Sequence, residues 1–190
     1  QFYLSWLNCI RPIRAAGLPF HYPKLCDTPE HLYCLDGFDL ALAAIELEAT
    51  VTNDFELNSP ERIIVVTGPN QGGKTSFARA FGQIHYLASL GLCVPGRESA
   101  LYLFEAIYTH FGREEDLSTL NGKLQDDLVR LHALLKKATS HSLVIVNEIL
   151  ASTTLADALS LGKRMMDAFA ALGAPGVVVT FLDELALHGP

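Results

Sequence analysis

The chain has 190 residues, 49% apolar and 18% charged, with 14 Lys and Arg against 21 Asp and Glu for a formal net charge of −7. That length suits one mid-sized domain around a single core, and the apolar share excludes a disordered chain and favours an α/β protein with a heavily buried sheet. The acidic balance argues against a surface built to neutralise a phosphate backbone, so any nucleic-acid contact is expected outside this chain.

The longest apolar stretches are broken by Asp167 and by Ala174-Pro175-Gly176, too often to span a bilayer, so a soluble chain without membrane contact is expected. The sequence opens in mid-pattern at Gln1, without a starting Met or signal peptide, and stops at Pro190, so it reads as an excised piece. Cys9, Cys26, Cys34 and Cys93 form no CxxC pair, which points to a reducing, cytoplasmic setting. His21, Cys26, His31 and Cys34 lie close in sequence but fit no common zinc spacing, and core cysteines with loop histidines are the better reading.

In chain order, residues 2–16 place Phe2, Trp6, Ile10 and Ile13 at helical spacing, with Pro12 bending or ending the helix and Gly17-Leu18-Pro19 stopping it. Such a helix wants a partner surface. Residues 21–37 show no clear period and read as a long connection into the apolar patch Phe38 to Leu47. Asn53 to Leu57 alternates as a strand does. Arg62 to Thr67 encloses Ile63-Ile64-Val65-Val66, a continuous β-branched run expected of a central parallel strand covered on both faces.

A helix follows over 73–90, then a strand over 101–109. Asn121 is placed to cap a helix whose Leu124, Leu128, Leu131, Leu135 and Ala138 share one stripe. Asp126, Asp127 and Arg130 read as its solvated face, with a part in a signature acting in trans on a second copy as the alternative. Buried strands are predicted at Ser142 to Asn147 and Gly176 to Thr180, with a helix over 155–172 between them. Alternating strands and helices predict a mostly parallel sheet flanked by helices, with right-handed crossovers. Residues 1–37 read as a helical connector and 38–190 as the α/β domain.

Gly68-Pro69-Asn70-Gln71-Gly72-Gly73-Lys74-Thr75 matches G-x-x-x-x-G-K-[ST] between the strand 62–67 and the helix 73–90. Glycines allow backbone N–H groups to turn inward around phosphate oxygens, and the helix N-terminus adds its positive end. Lys74 reaches the β- and γ-phosphates, and Thr75 offers a hydroxyl to Mg²⁺. Gly68, Pro69, Asn70, Gln71, Gly72, Gly73, Lys74, Thr75 and Ser76 are therefore the expected ATP-binding residues of a P-loop protein. The strand Leu143-Val144-Ile145-Val146 ends in Asn147-Glu148, where such proteins carry their Mg²⁺-side residue and hydrolytic base. Glu148 is the candidate general base, and Thr75, Asn147 and Glu148 are the candidate metal-side residues. An amide oxygen at Asn147 binds Mg²⁺ more weakly than a carboxylate does. Arg113 to Asp116 reads as a switch loop or a plain turn, and Gln83 and His85 as packing or surface residues.

Thr67 to Thr75, preceded by Asn53-Asp54 and followed by Val94-Pro95, resembles the ATPase domain of the MutS family, which writes this loop TGPN-x-GGK-[ST]. The similarity runs from about Asn53 to Leu185, and more loosely back to Gln1, where the family has the end of its helical core. Ser142 to Glu148 resembles the Walker B strand, Ser152-Thr153-Thr154 with Asp157 the loop after it, and Thr180 to Leu185 the segment after the next strand. The resemblance implies an ABC-type P-loop fold, ATP with Mg²⁺, a homodimer closing over two nucleotides, and DNA held by regions outside this chain.

Departures are Asn147 for the Walker B aspartate and Phe181 for a histidine. Thr50, Val51 and Thr52 stand where the family places an aromatic under adenine. The family's trans-acting Ser-Thr-Phe is represented by Gly122-Lys123-Leu124 or by Ser118-Thr119-Leu120. The departures resemble MutS-related bacterial proteins lacking the mismatch-reading domain. The expected function is thus ATP binding and hydrolysis coupled to a DNA clamp, with a nucleotide-gated scaffold of little turnover as the alternative. Another ABC-type motor ranks third, for want of an LSGGQ-like segment.

Overall fold

The computed structural model describes residues 1–112, 122–148, 150 and 152–188. In chain order the elements are α1 (Phe2–Ala15), β1 (Phe20–His21), β2 (Lys24–Cys26), β3 (His31–Gly37), α2 (Leu40–Ile45), β4 (Asn53–Asn58), β5 (Ile63–Val66) and α3 (Lys74–Ser89). There follow β6 (Val94–Pro95), β7 (Glu98–Tyr102), β8 (Ala106–Phe111), α4 (Lys123–Lys137), β9 (Ser142–Asn147), α5 (Leu155–Leu172), β10 (Gly176–Val179) and α6 (Asp183–Ala186). The chain divides into two compact units, residues 1–61 with 79–104 and residues 62–78 with 105–190. It is a mixed α/β protein with a parallel sheet and helices. No helix among the described residues is long and apolar enough to cross a membrane.

The second unit holds the four-stranded parallel sheet β5-β10-β9-β8. Every residue of β9 and β10 is buried, as their unbroken apolar runs predict. Strand β5, expected to be a central strand covered on both faces, is instead an edge strand of this sheet among the described residues and is half-buried throughout, because an apolar run does not record whether a strand has one neighbour or two. Val144, Val146 and Val178 pack with Leu131 and Leu134 of α4 and with Met165, Met166 and Phe169 of α5. The α4 stripe lies where its spacing predicts, with Leu124, Leu128 and Leu135 against the same core. Helix α5 starts at Thr154, whose hydroxyl accepts from Asp157 N, and stops at Gly173 in the left-handed region.

At Gly176 the backbone of β10 lies against that of β9 with no room for a side chain. A Cβ there would lie 2.1 Å from Val144 O, so only glycine admits the Val144 N–H to Pro175 O bond of 3.0 Å and its neighbours.

One sequence expectation fails on α4. Asp127 is buried rather than solvated, and lies 3.2 Å from Nε2 of the buried His110 on β8. Burial, aided by the nearby Arg130 guanidinium, holds His110 below the usual histidine range against the pull of Asp127. A carboxylate whose partner comes from a distant strand looks, in sequence, like any other helix-face charge.

The first unit holds the mixed sheet β2-β7-β3-β4 and the short pair β1-β6. Two further expectations are corrected here. Residues 21–37 are not a connection, because β1, β2 and β3 occupy them. Leu32 and Cys34 point into the core at period two, and β3 is held between β4 and β7. The stretch 101–109 is not one strand either. It divides into β7, paired with β2 and β3, and β8, paired with β9, on either side of Leu103 to Glu105. The Cys34 thiol is buried and pushed up to about 12, which keeps it protonated and unsuited to zinc. His21 of β1 is bonded to Gly96 O at 2.8 Å and to Ser99 Oγ at 2.7 Å.

In α1, Pro12 sits within the helix, Ile10 and Ile13 are buried, and Phe2, Tyr3, Leu4 and Leu7 face outward. On the later turns of α3, Phe81 and Ile84 are buried, and so is His85, which contacts the rings of Phe55, Phe81 and Phe104. Its Nδ1–H donates to Phe81 O at 2.8 Å, and Nε2 has no hydrogen-bond partner among the described residues. Burial pushes His85 down to about 4, outweighing the backbone bond that pulls it up.

This packing has two measurable consequences. Gly176→Ala forces two paired strands apart and lowers the unfolding free energy by about 3 kcal/mol or more in chemical denaturation. His85 is neutral when folded, whereas the unfolded side chain takes up its proton as pH falls through about 6.5. Stability therefore drops between about pH 6.5 and pH 4, by up to about 3 kcal/mol, and this group adds no further slope below pH 4. In His85→Leu, denaturation midpoints measured across that window lose this component of the slope.

Candidate functional site

Parallel pairing brings three strand ends together in the second unit. Val179 of β10 pairs with Val66 of β5 on one side and with Asn147 of β9 on the other. The ladder continues one step further, with Thr180 N–H donating to Val66 O and Glu148 N–H to Val179 O, each at 3.0 Å. The loop 67–73, the first turn of α3, Asn147-Glu148 and Thr180 therefore leave the same edge of an apolar sheet.

The loop from Gly68 turns back on itself before α3 begins. Gly68 has φ +130 and Gly73 φ +82, and a Cβ at either would meet nothing within 4 Å, so their backbone conformation rather than space requires glycine. Gln71 also takes a positive φ, at 64. Gly72 N–H donates to Pro69 O at 3.2 Å. Pro69 to Gly73 are exposed, Gly68, Thr75 and Ser76 are half-buried, and Lys74 is buried. The Lys74 ammonium donates to Gly68 O and Pro69 O, both at 2.9 Å, and stands 3.8 Å from Glu148 Oε1. A buried lysine held by two carbonyls of its own loop, with the Glu148 carboxylate as its charged partner at 3.8 Å, is a concentrated positive charge at this edge.

Thr75 Oγ1 donates to Asn147 Oδ1 at 3.2 Å, joining the first turn of α3 to the end of β9. Asn147 is 7% exposed, and the Glu148 side chain is 41% exposed. Glu148 takes φ +50 and Leu150 φ +66, a left-handed region that costs a non-glycine residue about 1–2 kcal/mol. Such strain gathers where a chain must aim particular side chains. Here it turns the carboxylate of Glu148 back toward Lys74.

Ser118, Thr119, Asn121 and Arg113 to Asp116 lie outside the described residues. Gly122 caps α4 without a side-chain bond, and Lys123 is the helix's first residue. Phe181, after β10, is 42% exposed and Val51 71% exposed. Gln83 is bonded to Asp39, a residue that the sequence presents only inside an apolar patch. Its one local signal is an Asp standing directly before a helical run, the usual N-cap position. A cleft of about 650 Å³ opens elsewhere, on the β3-β4-β7 face, but Asp54, Glu56 and Glu98 in its lining suit no anion.

Because Asn tolerates the left-handed region far better than Glu, Glu148→Asn should raise the unfolding free energy by about 0.5–1 kcal/mol. Equal or lower stability in urea denaturation would show that the strain at this position is absent or offset by the lost contact with Lys74.

Residues 64–188 match MutS domain V. The chain is 34% identical over 139 residues to Endonuclease MutS2 of Thermus thermophilus, covering 71% of this chain and 18% of that protein. It is 31% identical over 136 residues to DNA mismatch repair protein MutS of Shouchella clausii, covering 71% and 16%. With DNA mismatch repair protein MSH3 of Eremothecium gossypii it shares 25% identity over 190 residues, 98% of this chain and 18% of the relative. The chain thus spans less than a fifth of the length of these relatives. Since the domain V match takes in well over half of its residues, the chain belongs to the MutS family.

Proposed function

We propose that this chain is the ATP-binding and ATP-hydrolysing part of a MutS-like DNA-transaction protein, built as an ABC-type P-loop domain within residues 38–190. The observation that carries the reading is the meeting of Lys74, Thr75, Asn147 and Glu148 at one sheet edge. In it, a buried ammonium stands 3.8 Å from a carboxylate and a hydroxyl 3.2 Å from an amide oxygen.

Gly68 to Gly73 form a loop whose backbone can close around phosphate oxygens, and the N-terminus of α3 adds favourable N–H groups and dipole. Lys74 exchanges its two carbonyl partners for β- and γ-phosphate oxygens, stronger acceptors for a cation. Thr75 Oγ1 and Asn147 Oδ1 are hard oxygen donors, the type Mg²⁺ selects, and would hold the ion together with nucleotide oxygens and water. The bound ion supplies charge neutralisation on the phosphates.

Glu148 accepts a proton from the water that attacks the γ-phosphorus. The bond from that phosphorus to the bridging oxygen breaks, ADP leaves, and the proton passes from Glu148 to solvent. Gly122-Lys123 or Ser118-Thr119 of a second copy would complete the site across a homodimer. DNA would be engaged by regions outside this chain, in a cytoplasmic setting.

Asn147 favours a second reading, a nucleotide-gated scaffold, because an amide beside the metal contributes no charge. The test distinguishes the two. Lys74→Ala loses nucleotide binding in calorimetry, by on the order of 2–4 kcal/mol. Unchanged affinity would defeat the assignment. In the longer protein, Glu148→Gln leaves binding intact and slows hydrolysis by roughly a hundredfold or more, and Asn147→Asp raises turnover. A background rate indifferent to both substitutions leaves the scaffold reading.

A further inference from the structure

Asp39 has more bonds than a helix cap needs. It is 3% exposed, and its Oδ1 accepts from Ala41 N at 3.0 Å and Leu42 N at 3.3 Å, the ordinary work of an N-cap. The same oxygen also accepts from Gln83 Nε2 at 2.9 Å, while Oδ2 receives Arg79 through Nε at 2.8 Å and Nη2 at 2.7 Å. Gln83 returns the contact, its Oε1 accepting from Leu40 N at 2.8 Å. Serine or asparagine would cap α2 as well. A buried carboxylate is costly unless it is paired and hydrogen-bonded, so the two-pronged guanidinium contact calls for a role that capping does not supply.

Arg79 and Gln83 stand four residues apart on one face of α3, the helix that opens with Lys74 and Thr75. Arg79 follows Thr75 by four residues, about one turn of the same helix, so the two are linked through its backbone hydrogen bonds. Charge-assisted bonds of 2.7–2.9 Å tolerate displacements of only a few tenths of an ångström before they weaken. Resting on the nucleotide-binding reading above, we infer that Asp39 is a positioning residue for the phosphate-binding helix. Acting through Arg79 and Gln83, it makes loading of Gly68 to Ser76 felt at Asp39 to Ile45.

The test is amide hydrogen exchange of the chain with and without Mg²⁺ and a non-hydrolysable ATP analogue, read on segments 40–45 and 68–76. The wild type should slow several-fold in both. Arg79→Met should slow only in 68–76 and bind the analogue roughly tenfold more weakly, the size expected on loss of a buried charge-assisted contact. Arg79→Lys should recover most of the response in 40–45. Asp39→Asn, which retains a good cap, should behave as Arg79→Met does and guards against a variant that merely unfolds. A purely structural role would lower the thermal midpoint and leave the nucleotide-induced difference at 40–45 intact. That result in both Arg79→Met and Asp39→Asn overturns the inference, as does a wild type that slows only in 68–76. Absence of any slowing at 68–76 in the wild type overturns the nucleotide reading itself and the inference with it.

Discussion

Parallel pairing of β10 with β5 on one side and β9 on the other is the interaction on which the rest depends. The three strands are apolar along their length, so none presents a charge to the sheet interior, and polar residues emerge only where the strands stop. A shared register makes those stops coincide, with Val66, Val179 and Asn147 level with one another. Gly176 sets this arrangement at the opposite end of β10, where no side chain fits between the strand and Val144 O. The position of the site is thus fixed by packing well away from any of its functional groups.

At the shared edge the backbone leaves ordinary conformations. Gly68 and Gly73 take positive φ at little cost, whereas Gln71, Glu148 and Leu150 take it against their preference. The strain at Glu148 and Leu150 is supported by burial of Leu150, at 2% exposure, and by the Glu148 N–H bond to Val179 O. A carboxylate 3.8 Å from a buried lysine and an amide bonded to a threonine hydroxyl divide the edge into an ion-paired part and a neutral oxygen-donor part. In the proposed mechanism these take the phosphates and the magnesium ion respectively.

Much of the second unit was legible because its signals are local. Continuous apolar runs mark β5, β9 and β10 as strands, though not that β5 lies at the sheet edge, the Leu124 to Ala138 stripe marks α4, and the glycine-lysine-threonine spacing marks the turn into α3. What was not legible depends on partners distant in sequence. Strand β3 carries His31, Tyr33 and Asp36 among its apolar residues, and its identity as a strand rests on pairing with Asn58 and Ala100 neighbourhoods far along the chain. Asp127 and Asp39 are both charged residues that sequence assigns to solvent or to no role. Each is buried against a side chain from another element, Asp127 beside the His110 ring and Asp39 against the Arg79 guanidinium. A single sequence records such pairs one half at a time.

The destination of the Lys74 ammonium decides whether this edge binds nucleotide. A crystal structure of the chain grown with Mg²⁺ and a non-hydrolysable ATP analogue tests it. The account predicts the Lys74 ammonium on β- and γ-phosphate oxygens, with the ion drawn between Thr75 Oγ1 and Asn147 Oδ1. Lys74 still bonded to Gly68 O and Pro69 O, with the analogue bound elsewhere or not at all, would contradict it.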